Sequence, residues 1–350
     1  MRNSGRRWGV ALAAALFALP AGCTRAPGPV QLDGPTMGTT YTVSIPRLPD
    51  GTDRAAVEAA IADVLREADE HLSGWNDRSE LVRFNTSSST DWQTVSPVLF
   101  EPVAQAQAVS RATNGTFDVT VGPLVRAWGF GAGSSAEAAS PPAELLAQLS
   151  ANMGYEKLEL RPSPPALRKS TPGLEIDLDG IAPGWAVDRI AARFEALGVR
   201  DYLVELGGEV RARGANADGR RWRVAVETPQ AGARQAYAVI ELDGVGVSTS
   251  GDYRDYREVD GRRISHTVDP RSGAPVEHGL ASVTVVCESV AEADAWATAL
   301  MVLGPQEGMA VARRERRAAL FIRRGVEPGS FVADETLEFA RLRVTPGARL

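Results

Sequence analysis

Apolar residues recur at two spacings along this chain, and the spacing separates strands from helices. Alternate positions are apolar in 40–45, where Tyr41, Val43 and Ile45 share one side, which predicts a half-buried strand. Apolar residues three or four apart predict an amphipathic helix over 52–72. The same spacing predicts further helices at 96–113, about 142–151 and 184–197, with a short helical turn over 79–84.

The second half of the chain has mainly the pattern of strands. One predicted helix carries Asp294 and ends near Gly304-Pro305, a common helix stop, and another follows at about 305–316. Hairpin-like strand pairs with helices on one side predict an α+β fold built on antiparallel sheets. The predicted strands lie near 155–160, 173–178, 201–206, 209–213, 221–227, 236–242, 245–248, 262–268, 280–287, 318–322 and 336–344.

The first residues have the pattern of an export signal. Three arginines precede an apolar run at 10–19, which is too short to span a bilayer. The run ends in small residues before Cys23, as in bacterial lipoprotein signals. We therefore expect removal of 1–22, a lipid on Cys23, a tether over 23–35 and one domain over 36–350. Cleavage as an ordinary secretory signal is the alternative.

Charge and cysteine content exclude several classes of protein. The formal charge is −6, and 1–22 hold three arginines and no acid, so removing them leaves −9. This acidity argues against nucleic-acid binding, which needs a basic face. With only Cys23 and Cys287 present, we expect neither a disulfide framework nor a cysteine-based metal site.

Three polar segments of the later chain predict one site. TSGDY at 249–253 is a hydroxyl-rich turn, and HTVDPRSGAP at 266–275 reads as a strand running into a Pro/Gly turn. ADAWAT at 293–298 lies on a predicted helix, so Asp294 and Thr298 share one face. A carboxylate and a hydroxyl one turn apart suit a hard cation such as Mg²⁺, completed by water and substrate phosphate.

Each of these residues also has a structural interpretation. Thr298 can instead bond to a carbonyl of its own helix while Asp294 is solvated. The functional interpretation of His266 is that it accepts a proton from a hydroxyl or orients a phosphate. The structural interpretation is that it fixes the Asp269-Pro270 turn. From spacing alone these alternatives stay open.

The three segments, in this order, resemble the ApbE-like flavin transferases, the FAD:protein FMN transferases. Four further segments are similar to that family: MGT at 37–39, SGWNDRSELVRFN at 73–85, FDVT at 117–120 and DLDGIAPGWAVD at 177–188. GGE at 207–209 also fits. The resemblance covers about 36–304 and implies two related T-fold-like halves with the ligand site between them.

The resemblance also assigns roles to individual residues. It implies a Mg²⁺ site made by Asp294, Thr298 and the main-chain carbonyl of Gly180, with His266 and Asp294 as catalytic residues. This chain departs from the family pattern at Pro183, where a charged residue is usual, and at Ala297, where some members carry an acid. The implied flavin-binding residues are Met37, Trp75, Phe117, Asp118, Val119, Asp177, Pro183 and Val268.

The activity that the resemblance implies is transfer of FMN from FAD to a Thr or Ser hydroxyl of an acceptor protein, releasing AMP. Two alternatives are an FAD pyrophosphatase, with water as the acceptor, and an FAD-binding lipoprotein without turnover. The expected partners are FAD and an exported or membrane electron-transfer subunit, with no nucleic acid. The protein is expected to be lipid-anchored, facing the periplasm or the cell exterior.

Overall fold

The strands and helices follow one another along most of the chain. The computed structural model describes residues 28–134, 140–230, 235–253, 256–259, 262–327 and 329–344, so the predicted signal and Cys23 lie outside the described residues. The strands are β1 (Val30–Thr36), β2 (Thr39–Ile45), β3 (Gln93–Thr94), β4 (Leu158–Pro162), β5 (Pro165–Lys169), β6 (Tyr202–Leu206), β7 (Glu209–Arg213), β8 (Trp222–Glu227), β9 (Ala236–Leu242), β10 (Val245–Gly251), β11 (Tyr256–Val259), β12 (Arg262–Ser265), β13 (Val268–Asp269), β14 (Ala274–Pro275), β15 (Leu280–Cys287), β16 (Ala318–Arg324) and β17 (Phe331–Glu335). The helices are α1 (Arg54–Leu72), α2 (Glu80–Thr86), α3 (Pro97–Ala112), α4 (Gly122–Ala127), α5 (Ala143–Asn152), α6 (Ala182–Ala196), α7 (Val290–Arg314) and α8 (Leu337–Ala340).

An eight-stranded sheet in the order β1-β2-β6-β7-β10-β15-β16-β17 joins two similar halves. Every neighbouring pair in it is antiparallel. The first half comprises β1, β2, β6 and β7, and the second comprises β10, β15, β16 and β17. In each half the helical segments follow the second strand, α1–α6 in the first and α7 in the second. The predicted α+β class is confirmed, and this strand–strand–helix–strand–strand order fits the two halves that the resemblance implied.

Hydrophobic packing covers both faces of this sheet. Helices α1, α3, α6 and α7 supply much of the larger core, in which Ile61, Phe194 and Trp296 are fully buried. On the other face the β8–β9 hairpin and α8 pack Ile240 and Phe339 against the sheet. In the ranges that the structure describes, no helix is long and apolar enough to cross a membrane.

Most helix predictions agree with the structure within a few residues, including the stop at Gly304. Gly304 has φ 75° and ψ −178°, which interrupts α7 where two separate helices were predicted. The caps agree as well, since Ser79 accepts a hydrogen bond from Val82 N and Ser96 accepts one from Leu99 N.

Three predictions about strands were wrong. The tether was expected to reach residue 35, but Val30–Thr36 pairs with β2 and buries Val30 and Leu32. The segment 173–178 is not a strand, because the Asn85 amide bonds both backbone groups of Ile176, at 2.7 and 2.8 Å. In place of a strand at 336–344, Thr336 caps the short helix α8.

Candidate active site

Helix α7 packs along β10, and the register between them determines which side chains meet at the site. A Cβ on Gly246 would be 2.4 Å from Val290, and the Ser250 hydroxyl lies 3.1 Å from the Thr298 hydroxyl. Two residues of a strand advance about 6.8 Å, and four residues of a helix advance about 6 Å. Alternate residues of β10 therefore stay opposite every fourth residue of α7, which places Ser248 beside Asp294.

Asp294 occupies the middle of this contact. Its side chain is only 6% exposed, and its Oδ2 atom has no hydrogen-bond partner. Burial, and then the charge of Glu209, raise the pKa of Asp294 well above its usual value. The Gly184 N–H and the Ser248 hydroxyl act in the opposite direction. A buried carboxylate oxygen without a donor favours a bound cation at this position.

Helix α6 fixes the start of α7. A Cβ on Gly184 would lie 2.7 Å from the Ala291 backbone, so the two helices meet without a side chain between them. Asp188 Oδ2 accepts hydrogen bonds from the Ser289 hydroxyl at 2.8 Å and from Ala291 N at 3.1 Å. The glycine and the carboxylate of α6 together locate the first turn of α7, one turn before Asp294.

The turn at 177–180 approaches α7 from the other side. A Cβ on Gly180 would lie 3.5 Å from the Thr298 hydroxyl and 3.3 Å from the Phe117 ring. The Asp177 N–H donates to the Val119 carbonyl at 2.6 Å, and the Asp179 N–H donates to Asp177 Oδ1 at 2.9 Å. The charge of Asp177, followed by burial, raises the pKa of Asp179 to about 7. Gly180 thus stands next to the predicted cation ligands, in a strongly acidic turn.

A cavity of about 420 Å³ lies over these groups, a size typical of small-molecule sites. A second, more open cavity of about 390 Å³ shares Trp75, Asp177 and Asp179 with it. Trp75 is 68% exposed and lies where the two cavities meet. The predicted residues on the wall of the first cavity are Trp75, Phe117, Asp118, Val119, Asp177, Gly180, His266, Val268, Asp294 and Thr298.

Two predicted flavin-binding residues do not line this cavity. Met37 is in the turn between β1 and β2 and is 41% exposed. Pro183 is in the first turn of α6, where a proline needs no backbone donor. Met37 and Pro183 therefore match the family motifs without lining the cavity.

Asp118 lines the cavity, but its oxygens bond to the protein itself. Its Oδ1 atom accepts from Thr120 N at 2.8 Å and from the Thr120 hydroxyl at 2.7 Å. Its Oδ2 atom accepts from Tyr155 N at 2.8 Å. Burial raises the pKa of this carboxyl. Asp118 shapes the cavity wall at least as much as it offers acceptors to a ligand.

Several lining residues were not among the predicted site residues. They include Ser250 beside Thr298, Asp179 beside Gly180, and Phe130, whose ring meets the His266 ring edge to face at 6.3 Å between centroids. The TSGDY segment indicated hydroxyls at this place, but the hydroxyl that faces Thr298 is set by the strand register.

The donor set fits a hard cation held largely by neutral oxygens. In the part of the chain that the structure describes, no group of three or more His, Cys, Asp and Glu side chains could hold a metal ion. The site offers the free Oδ2 of Asp294 and the Thr298 hydroxyl, with the backbone of Gly180 close to that hydroxyl. Mg²⁺ accepts such a set because it retains water and binds phosphate oxygens.

The fold and site define a class of α+β proteins with an acidic cavity at the edge of the α7–β10 contact, which the segments 116–131, 177–180 and 266–270 also line. This chain belongs to the ApbE family, whose family model matches residues 37–322. It is 41% identical over 317 residues to an FAD:protein FMN transferase of Vibrio cholerae serotype O1, covering 91% of this chain and 93% of that protein. It is 39% identical over 321 residues to the protein of the same name from Escherichia coli K12, covering 89% and 90%.

A solved structure agrees with these sequence relatives. The crystal structure of the flavinyl transferase ApbE of Pseudomonas stutzeri, in its apo form, superposes with a TM-score of 0.82 at 40% identity. The alignment covers 91% of this chain and 98% of that one. Similarity over nearly the full length of each chain extends the family relationship to the whole described domain.

Proposed function

We propose that this protein transfers FMN from FAD to a Thr or Ser hydroxyl of an acceptor protein, with Mg²⁺, and releases AMP. The names of the relatives above contain the transfer of FMN from FAD to a protein. The observation that carries the proposal in this chain is Asp294, whose buried Oδ2 atom has no hydrogen-bond partner at the wall of the cavity.

The charge of the cavity supports a requirement for a cation. Asp177, Asp179 and Asp294 line it. The diphosphate of FAD is itself anionic, so it would be repelled from this wall in the absence of positive charge. Asp294, Thr298 and the Gly180 carbonyl would hold Mg²⁺. When bound, the ion neutralises charge on the diphosphate, which is the main requirement of phosphoryl transfer.

The remaining residues bind the flavin nucleotide and accept the proton of the acceptor hydroxyl. Phe117, Val119 and Val268 give the cavity an apolar wall, and Trp75 presents a ring face at its edge. In the transfer, the acceptor oxygen bonds to the phosphorus of the FMN half, and the bond from that phosphorus to the AMP phosphate breaks. His266, on the same wall, accepts the hydroxyl proton.

The first residues support the proposed location of the enzyme. The arginines before an apolar run and the small residues before Cys23 support export and a lipid anchor at Cys23. An enzyme held there meets exported proteins. The proposed acceptor is an exported or membrane electron-transfer subunit, the kind of acceptor that the family resemblance implies, and the membrane is contacted only through the lipid.

The proposal is tested by mass spectrometry of such an acceptor after incubation with this protein, FAD and Mg²⁺. We expect the acceptor to gain the mass of FMN less one water, on a Thr or Ser, with one AMP released. Chelation of the metal should abolish the gain, and so should replacement of the modified Thr by Val. Free FMN with unlabelled acceptor would instead identify a pyrophosphatase, and intact FAD would identify a binding protein.

A further inference from the structure

Glu209, the first residue of β7, lies behind the wall of the cavity. It does not line the cavity, yet its Oε1 atom accepts a hydrogen bond from the Ser248 hydroxyl at 3.2 Å. Ser248 is also next to Asp294, and the charge of Glu209 acts on Asp294 more strongly than that of any other side chain. Glu209, Ser248 and Asp294 thus form a line from the sheet to the cavity.

The two carboxylates, Glu209 and Asp294, have fewer hydrogen-bond donors around them than their negative charge requires. A hydroxyl has one proton, so Ser248 can donate to only one of the two carboxylates at a time. Asp294 Oδ2 has no donor, and its side chain is more than nine-tenths buried. The two arginines on the same strand are bound elsewhere, Arg211 to Asp188 at 3.0 Å and Arg213 to Glu195 at 2.8 Å.

Helix α7 supplies no second acid to this site. Ala297 precedes Thr298, and Glu292 is paired with Arg317 at 2.6 Å beside Trp296, outside the cavity. A divalent ion held by Asp294 keeps a net positive charge before the substrate arrives. Two nearby carboxylates can offset it: Glu209 and, on the turn beside Gly180, Asp179, whose charge acts on Asp294 less strongly than that of Glu209.

We propose that Glu209 is a further carboxylate of the cation site, a positioning residue that orients Ser248 and adds its charge without being a ligand. This inference rests on the proposed function. It predicts that the charge of Glu209, more than its size or its hydrogen bond, sets how tightly the empty enzyme binds the ion.

The test is a titration of the full-length protein with Mn²⁺ in the absence of FAD, following free Mn²⁺ by electron paramagnetic resonance. Glu209→Gln keeps the size and the hydrogen-bonding capacity of the side chain but removes its charge. We expect it to weaken Mn²⁺ binding by about 10-fold, the lower end for outer partners of metal ligands. Glu209→Asp keeps the charge and should stay within about threefold of the unaltered protein.

Two further variants separate the possible outcomes. Glu292→Gln removes a carboxylate of α7, the helix that carries Asp294, at a position outside the cavity. It should leave Mn²⁺ binding unchanged, with a similar thermal transition. Asp294→Asn should abolish binding; if it does not, the proposed function loses its metal site. If Asp294→Asn abolishes binding and Glu209→Gln leaves it unchanged, only the role of Glu209 is overturned. Equal losses for Glu209→Gln and Glu209→Asp would also contradict it, and if Glu209→Gln does not fold, Glu209→Asp decides alone.

Discussion

Replacement of Asp294 by asparagine should slow FMN transfer by at least about 100-fold, the scale on which removal of one charge-stabilising group slows catalysis. Asparagine keeps the shape of the side chain but cannot supply the anionic oxygen that faces the cavity. The Phe117, Val119 and Val268 wall is untouched by this change. The flavin should therefore still bind, more weakly than with the cation present, while cleavage of FAD is lost.

The measurement is the initial rate of acceptor labelling at saturating Mg²⁺, with FAD binding followed by the change in flavin fluorescence. Glu292→Gln is the matched control, since it also converts an acid of α7 to an amide. Glu292 lines a separate pocket with Trp296 and Arg317. An Asp294→Asn protein that labels acceptor at the unaltered rate would remove the basis of the proposed site.

Replacement of Gly184 by alanine should lower the free energy of unfolding by about 3 kcal/mol, toward the upper end for an overpacked contact. The new Cβ would lie 2.7 Å from backbone atoms of Ala291, which cannot rotate away as a side chain can. Helix α7 would have to move from α6. Because Asp294 lies within one turn of this contact, the Mg²⁺ concentration needed for half-maximal transfer should rise as well.

Urea unfolding and the Mg²⁺ dependence of transfer measure both effects. Gly279→Ala is the control, because a Cβ at Gly279 would meet no atom within 4 Å. It should leave both quantities near those of the unaltered protein. Equal stability of Gly184→Ala and Gly279→Ala would mean that close contact of α6 and α7 does not locate the site.

The regular periodicities predicted much of the fold because each depends on local burial. The alternation of Tyr41, Val43 and Ile45 and the helical spacing in α1 and α6 both matched buried faces. The β1 strand was taken for a tether because Gly34 and Pro35 suggest a loop, although an edge strand tolerates proline. The segment before Asp177 was taken for a strand from its apolar residues. Its partner is a side-chain amide, which periodicity cannot reveal.

The site residues, too, fall into those that the sequence could predict and those that depend on the folded sheet. Spacing along one helix predicted that Asp294 and Thr298 share a face, and the motifs added Gly180 and His266. The opposing residues, Ser248, Ser250 and Glu209, come from two strands whose register with α7 depends on the whole sheet. The hydrogen bonds that occupy Asp118 likewise involve Tyr155, which is distant in sequence.

The location of the cation is the claim on which the remaining proposals depend, and anomalous diffraction from crystals grown with Mn²⁺ and FAD measures it most directly. We predict one strong peak within bonding distance of Asp294 Oδ2, the Thr298 hydroxyl and the Gly180 carbonyl, in contact with the FAD diphosphate. FAD bound in the cavity with no peak at these three oxygens, or with the metal elsewhere, would contradict the site described for this protein.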